Sequence, residues 1–249
     1  MLKETVKNIT RHLGYKISRI SRSPESCESV AYEPVRPIAT YSPWNKDALF
    51  QEVYAEIQPF TLVDKYRCFE LWSLVAQSSK LQTGCIIEVG VWRGGTGALI
   101  AKQAELREIK DKVYLCDTFT GVVKAGLNDK EYKGGEHANT TRRVVEKLIH
   151  RKMKLDNVEI LEGVFPDQTG SDIERMVFRF CHIDVDVYQS AKDIIDWIWD
   201  RMVSGGIIVF DDYGFQCCEG ITKYVEELMY VKDRVMIHNL NGHAVLLKL

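Results

Sequence analysis

From residue 85 onward, short apolar runs alternate with longer segments whose apolar residues recur every three or four positions. The runs predict strands near 85–90, 113–117, 157–161, 178–184 and 206–210. The helical periodicity between them predicts helices near 95–109, 139–152, 187–202 and 218–230. Such alternation builds a parallel sheet with helices on both faces. The chain ends differently. Arg234–His238 and Ala244–Lys248 flank Asn241-Gly242, a pair that tolerates positive φ, so an antiparallel hairpin is expected to finish the sheet. The fold class is α/β, with seven mostly parallel strands.

Before the first strand the pattern is helical from Asp47. Thr61-Leu62-Val63-Asp64 has the form of an N-cap with an acidic residue three later, opening a helix through Tyr66, Phe69, Trp72 and Val75. Further upstream, Leu2, Val6, Ile9, Leu13, Ile17 and Ile20 give residues 1–22 an apolar stripe, while Lys3, Lys7, Arg11, Lys16, Arg19 and Arg22 face only Glu4. A basic amphipathic helix docks on its own domain, on a second subunit or on an anionic surface. Four of the six prolines then fall in residues 23–45, which reads as an extended linker without a helix. Two regions follow, an N-terminal helix and linker over 1–45 and one large domain over 46–249.

Composition narrows the class. With 249 residues, 45% of them hydrophobic, there is material for one α/β core. A net charge of −2 argues against nucleic acid as a main partner. No apolar run approaches membrane-spanning length, and no signal-peptide core is present. Seven cysteines without a C-x-x-C pair suit a reducing cytoplasm. Cys85, Cys116 and Cys181 belong to core strands, and the neighbours Cys217 and Cys218 are expected to be packing residues.

Candidate chemistry sits where strands end. Cys181-His182-Ile183-Asp184-Val185-Asp186 and Gly205-Gly206-Ile207-Ile208-Val209-Phe210-Asp211-Asp212 are apolar runs that each finish in two carboxylates. Residues two apart on a strand share a face, so Asp184 and Asp186 are expected to look into one cleft. Ligands of parallel sheets bind outside the carboxyl ends of the strands. Four carboxylates converging there repel one another unless a cation compensates, which points to a metal site. After the first strand comes Glu88-Val89-Gly90-Val91-Trp92-Arg93-Gly94-Gly95-Thr96-Gly97, a loop that lets backbone approach a nucleoside. Trp92 occupies the second glycine position of the dinucleotide fingerprint, and no Gly-Lys-Ser/Thr follows. Asp117, ending the second strand, is positioned to accept the ribose hydroxyls of an adenosine. Without a pyrophosphate-type loop, S-adenosylmethionine fits better than a dinucleotide.

These motifs together resemble the macrocin O-methyltransferase (TylF-type) family of class I S-adenosylmethionine-dependent methyltransferases. The carriers are Glu88–Gly95, Asp117-Thr118-Phe119, Glu162-Gly163-Val164-Phe165, His182–Tyr188 and Gly205–Gly214, within residues 60–249. The resemblance implies a Rossmann-like fold, a sugar or glycoside hydroxyl as methyl acceptor on a small molecule or a polymer, and a cytoplasmic homo-oligomer. It implies that Asp184, Asp211 and Asp212 hold Mg²⁺ and that Asp186 is the general base. Cofactor contacts are expected at Glu88, Gly90, Trp92, Arg93, Gly95, Thr96, Asp117, Thr118, Phe119, Gly163, Phe165 and Asp184. Two departures concern the acceptor pocket. Gly121-Val122-Val123 replaces the usual Gly-Leu-Pro, and Gln189-Ser190-Ala191-Lys192 stands where Glu-Ser-Thr is common.

Methyl transfer to oxygen needs a hydroxyl proton removed, and aspartate, with a reference pKa of about 3.9, is a poor base for an unassisted sugar hydroxyl. A hard cation on that oxygen lowers its pKa, after which Asp186 can take the proton. His182 is expected to be a satisfied core histidine facing away from Asp184. His137, in a glycine-rich loop (118–138) with the character of a mobile lid, and Tyr213 are candidate substrate contacts. Lys192 reads as a surface residue. A catechol-type phenol methyltransferase and a non-catalytic cofactor-binding scaffold are the competing functions.

Overall fold

The computed structural model describes Val35 and residues 39–249, so the basic helix expected over 1–22 and most of the linker lie outside the described residues. At the linker's end, Pro43–Asn45 forms a single 3-10 turn. Seven strands follow: β1 (Cys85–Val89), β2 (Val113–Asp117), β3 (Val158–Glu162), β4 (Phe178–Ile183), β5 (Met202–Phe210), β6 (Arg234–His238) and β7 (Ala244–Lys248). They form one sheet in the order β3-β2-β1-β4-β5-β7-β6. β1 to β5 are mutually parallel, and β7 pairs antiparallel with both β5 and β6. The chain winds outward from β1 through β2 to β3, then returns to place β4 on the other side of β1. That reversal leaves a crevice above the carboxyl ends of β1 and β4.

Strand alternation sorts the core into two layers. Ile86, Leu115, Phe180, Val209 and Val245 face α1 (Ala48–Ile57), α2 (Lys65–Ser78), α3 (Gly95–Leu106) and α4 (Arg142–Glu146). Ile87, Cys181, Ile208, Phe210 and Leu246 face α5 (Tyr188–Ile198) and α6 (Glu219–Leu228). Among the described residues, no helix is long and apolar enough to cross a membrane.

Several boundaries differ from expectation for local reasons. The helix after Thr61 starts at Lys65, because Asp64 is the cap and accepts from Tyr66 N and Arg67 N. Thr61 Oγ1 instead accepts from Val63 N and closes a turn ahead of it. The helix expected over 139–152 is α4 followed by a π-helical turn at Lys147–Lys152. The helix expected to reach 202 stops at Ile198, and after one 3-10 turn β5 begins at Met202, paired with Phe178. The hairpin connection is a five-residue loop, with Asn239 N bonded to His243 O and Gly242 at φ 101°.

Candidate active site

Backbone hydrogen bonds continue past the strand ends and set the site's frame. Gly163 N donates to Asp117 O, Gly90 N to Cys116 O, Asp184 N to Val89 O and Asp211 N to Ile183 O. The glycine loop, the two aspartate motifs and the Gly163 turn therefore lie side by side. Gly90 has φ 89°, and a Cβ there would sit 1.6 Å from the Asp184 carbonyl oxygen, so the two strand ends can meet only at glycine.

Asp117 holds the glycine loop. Its Oδ2 accepts from Val91 N at 2.6 Å and Trp92 N at 2.8 Å, and its Oδ1 accepts from Phe119 N at 2.6 Å. A carboxylate offers about four lone-pair positions, so most of this one's capacity is already engaged by backbone. Asp117 faces the crevice as expected, yet its visible work is to fix Trp92, whose φ of 48° the loop requires. Nothing in the spacing of the motif announces those amide bonds.

A cavity of about 230 Å³ opens between these elements. Gly90, Trp92, Thr96, Asp117, Thr118, Gly163 and Phe165 line one part of it, and His137, Asp184, Asp186, Asp211 and Asp212 also line it. Five expected contacts lie off this wall. Glu88 points from β1 into the helix layer, fully buried, with its Oε1 2.8 Å from His182 Nδ1. Arg93 stacks on Trp92, 4.5 Å from the ring centre, and donates to Asn139 O. Gly95 opens α3 beneath Phe60, where a Cβ would meet backbone at 2.7 Å. Phe119 is buried in the core, and Tyr213 is buried with its ring edge-on to His238 at 4.7 Å.

The four carboxylates do converge, but not by strand alternation. β4 ends at Ile183, and Asp186 has φ 63°, so a turn rather than a two-residue repeat aims it. Tyr132 Oη donates to Asp186 Oδ1 at 2.6 Å. Asp184, Asp211 and Asp212 each bring an oxygen to within 4.8 Å of the others. Burial, then the charges of Asp211 and its neighbours, push Asp184 and Asp212 well above the usual carboxylate range. Burial also raises Asp186, against the Tyr132 hydrogen bond that favours its ionised form.

Asp211 is treated differently. Burial alone would raise its carboxyl, but His243 and Arg67 outweigh that and hold it well below the ordinary range. Arg67, reaching in from α2, donates to Asp211 Oδ1 and lies 3.5 Å from Asp212 Oδ1. His243 Nε2 sits 3.4 Å from Asp211 Oδ1, while its Nδ1 is 2.8 Å from Glu70 Oε2. Burial would lower that imidazole's pKa; the bonds to Asp211 and Glu70 raise it to about 9. All these contacts fall on Oδ1, so Oδ2 is the Asp211 oxygen left for another ligand.

His182 is buried, as expected, but its orientation is not the expected one. Lying two residues before Asp184, it shares a sheet face with Glu88 and with Asp211, and its Nε2 has no hydrogen-bond partner. Lys192 is on the surface, paired with Asp196. Cys218 is buried, whereas Cys217 is exposed and is not a packing residue.

The 118–138 loop is docked along its length. Val122 N donates to Glu136 O and Gly135 N to Val122 O, both at 2.9 Å, which ties its two arms together. Asp129 is 3% exposed and accepts from Tyr188 N, the first amide of α5, while Ser190 Oγ donates to Val123 O. The loop delivers Tyr132 and His137 to the cavity, their rings 6.3 Å apart. Arg67, Glu70, Tyr132 and His243 were not singled out in the sequence.

With this geometry in hand, the family model for macrocin O-methyltransferase (TylF) matches residues 55–243. The chain belongs to the macrocin O-methyltransferase (TylF) family. Its curated relatives include an 8-demethyl-8-(2,3-dimethoxy-alpha-L-rhamnosyl)-tetracenomycin-C 4'-O-methyltransferase of Streptomyces olivaceus, 31% identical over 147 residues, covering 54% of this chain and 55% of that protein. Mycinamicin III 3''-O-methyltransferase of Micromonospora griseorubida is 27% identical over 154 residues, covering 57% of this chain and 60% of that one. The chain thus spans little more than half the length of the curated relatives it matches. Among solved structures, the O-methyltransferase NovP superposes with a TM-score of 0.66 at 19% identity, covering 76% of this chain and 82% of NovP. CalS11, a calicheamicin methyltransferase, gives 0.60 at 16% identity, covering 89% and 99%. At those identities the likeness is one of fold, and it agrees with the seven-stranded sheet and its closing hairpin.

Proposed function

We propose that this TylF-family chain is an S-adenosylmethionine- and Mg²⁺-dependent O-methyltransferase acting on a hydroxyl of a sugar or glycoside. The observation that carries the reading is the meeting of four aspartates and a nucleoside-type glycine loop in one crevice. The acceptor class is supported by the name of one relative, a 4'-O-methyltransferase of a rhamnosyl-bearing tetracenomycin.

The residues present suit both groups. Gly90, Trp92, Thr96 and Asp117 line the cavity, where a nucleoside would lie against the glycine loop. The metal donors are all oxygen, the ligand type that Mg²⁺ prefers. Asp184 and Asp212 are held in mutual repulsion that the Arg67 charge does not cancel. Asp184, Asp212 and Oδ2 of Asp211 would hold the cation, which lowers the pKa of a hydroxyl bound to it. S-adenosylmethionine supplies the methyl group. Gly90, Thr96 and Phe165 would border the donor, and Asp186 would accept the hydroxyl proton while the new C–O bond forms and the C–S bond breaks. Tyr132 orients Asp186 by its hydrogen bond. Arg67 and His243 keep Asp211 ionised, ready for a cation. Cytoplasmic residence and assembly into oligomers belong to the same reading and rest on the family resemblance.

The test is incubation with isotopically methyl-labelled S-adenosylmethionine and a panel of deoxysugar glycosides, with Mg²⁺ or with EDTA. A labelled sugar ether formed only with Mg²⁺ supports the reading. Label on a catechol hydroxyl instead would favour the phenol methyltransferase, and no transfer to any acceptor would favour the scaffold.

A further inference from the structure

Beyond the aspartates, the loop after β5 carries two adjacent thiols that the proposed reaction does not use. Phe215 N bonds to Asp212 O and Cys218 N to Phe215 O, so two successive turns fold the loop back over the strand end. Gly214 N donates to Thr222 Oγ1, and Thr222 N to Cys218 O, which ties the loop to the first turn of α6. The result is a sulfur beside the acid cluster: Cys218 Sγ and one oxygen each of Asp186 and Asp212 lie within 4.8 Å of one another. Cys217 Sγ is 3.6 Å from Cys218 Sγ.

That separation is informative. A disulfide needs its sulfurs about 2.0 Å apart. Two zinc–sulfur bonds of about 2.3 Å at a tetrahedral angle place them about 3.8 Å apart. The pair therefore stands near chelating geometry. Soft thiolates select Zn²⁺ and similar cations over Mg²⁺, and carboxylate oxygens complete tetrahedral zinc sites. Cys217 is exposed and gives an incoming ion access, while Cys218 is 2% exposed and fixed in place.

We propose that Cys217, Cys218, Asp186 and Asp212 form a site for a thiophilic divalent cation, of which Zn²⁺ is the representative, and that its occupancy inhibits the enzyme. Zinc binding is argued from the Asp186, Asp212 and Cys218 cluster, with Cys217 as the second thiolate, and does not depend on the proposed function. Inhibition rests on the proposed function, because the site would take Asp186 and Asp212 away from proton transfer and from Mg²⁺. Zinc and magnesium would then compete through Asp212, with the thiols deciding for zinc.

The experiment titrates the reduced 249-residue chain with Zn²⁺ against a chromophoric chelator, and with Co²⁺ as a spectroscopic stand-in. One zinc per chain is expected, with thiolate-to-cobalt charge-transfer absorption in the near ultraviolet. Cys217→Ser, at an exposed position, should weaken zinc binding at least about tenfold, the smaller end of what even outer-shell changes cost a metal site. Far-ultraviolet circular dichroism of that variant verifies its fold. Equal zinc affinity in the variant, or a cobalt complex without thiolate absorption, would overturn the site. Zinc inhibition of methyl transfer, measured against each protein's own zinc-free rate, should require a higher zinc concentration in Cys217→Ser. Inhibition at the same concentration would overturn the inhibitory role. A protein that transfers no methyl group but still binds zinc through its thiols would separate failure of the proposed function from failure of the site.

Discussion

Arg67 and Asp211 are 144 residues apart in the chain and share a buried, charge-assisted hydrogen bond at the floor of the crevice. The bond joins α2, which precedes the sheet, to the end of β5. It couples the packing of the N-terminal helices to the state of the acid cluster. Breaking a buried pair costs up to about 3–5 kcal/mol, and His243 beside Asp211 keeps the loss of Arg67 toward the lower end of that range. Arg67→Leu should therefore lower unfolding free energy by about that much in urea. A change within a few tenths of a kcal/mol would show that the pair is not a support.

Gly90→Ala should be worse tolerated than any alanine substitution on the surface. The new Cβ would run into the Asp184 carbonyl, and φ is already left-handed. Backbone would have to move at the meeting point of β1 and β4, so a loss of about 4 kcal/mol or more is expected, in the exceptional range for a point change. Thermal unfolding of the purified variant measures it, and a wild-type melting temperature would count against the described close approach.

Asp117→Ala removes the acceptor for three loop amides. Each orphaned donor costs about 1–3 kcal/mol if it stays buried, so both stability and S-adenosylhomocysteine affinity should fall. Asp117→Asn keeps one acceptor oxygen and should lie between. If Asp117 served the ribose alone, the stability of both variants would match the wild type.

Much of this was legible from residues alone, and the limits have physical causes. The strands were readable because parallel strands buried on both faces carry continuous apolar runs, as at 113–116 and 207–210. The Asn241-Gly242 signal marked the closing hairpin. What failed was extrapolation past a strand's last residue: alternation stops at Ile183, and Asp186 is aimed by a left-handed turn that no hydrophobic pattern encodes. The face of His182 was misjudged for the opposite reason, since alternation still held there and placed it with Asp211. Arg67, Glu70 and His243 escaped notice because their partners are distant in sequence. A lone arginine in an amphipathic helix looks the same whether it faces solvent or a buried carboxylate.

Asp186→Asn should reduce turnover by on the order of 100- to 10,000-fold, the usual contribution of a positioned base. Cofactor and Mg²⁺ binding should survive, since the three proposed ligands are untouched. Loss of Mg²⁺ affinity in this variant would instead make Asp186 a ligand.

In the proposed function, one crevice holds both S-adenosylmethionine and a metal. Calorimetric titration with S-adenosylhomocysteine and, separately, with Mg²⁺ checks this, using Asp212→Asn as the comparison because Asp211 is also held by His243. Saturable cofactor binding is expected in both proteins, with an Mg²⁺ isotherm present in the wild type and lost in Asp212→Asn. Cofactor binding with no Mg²⁺ isotherm in the wild type would contradict the metal-assisted mechanism, and no cofactor binding in either protein would contradict the account as a whole.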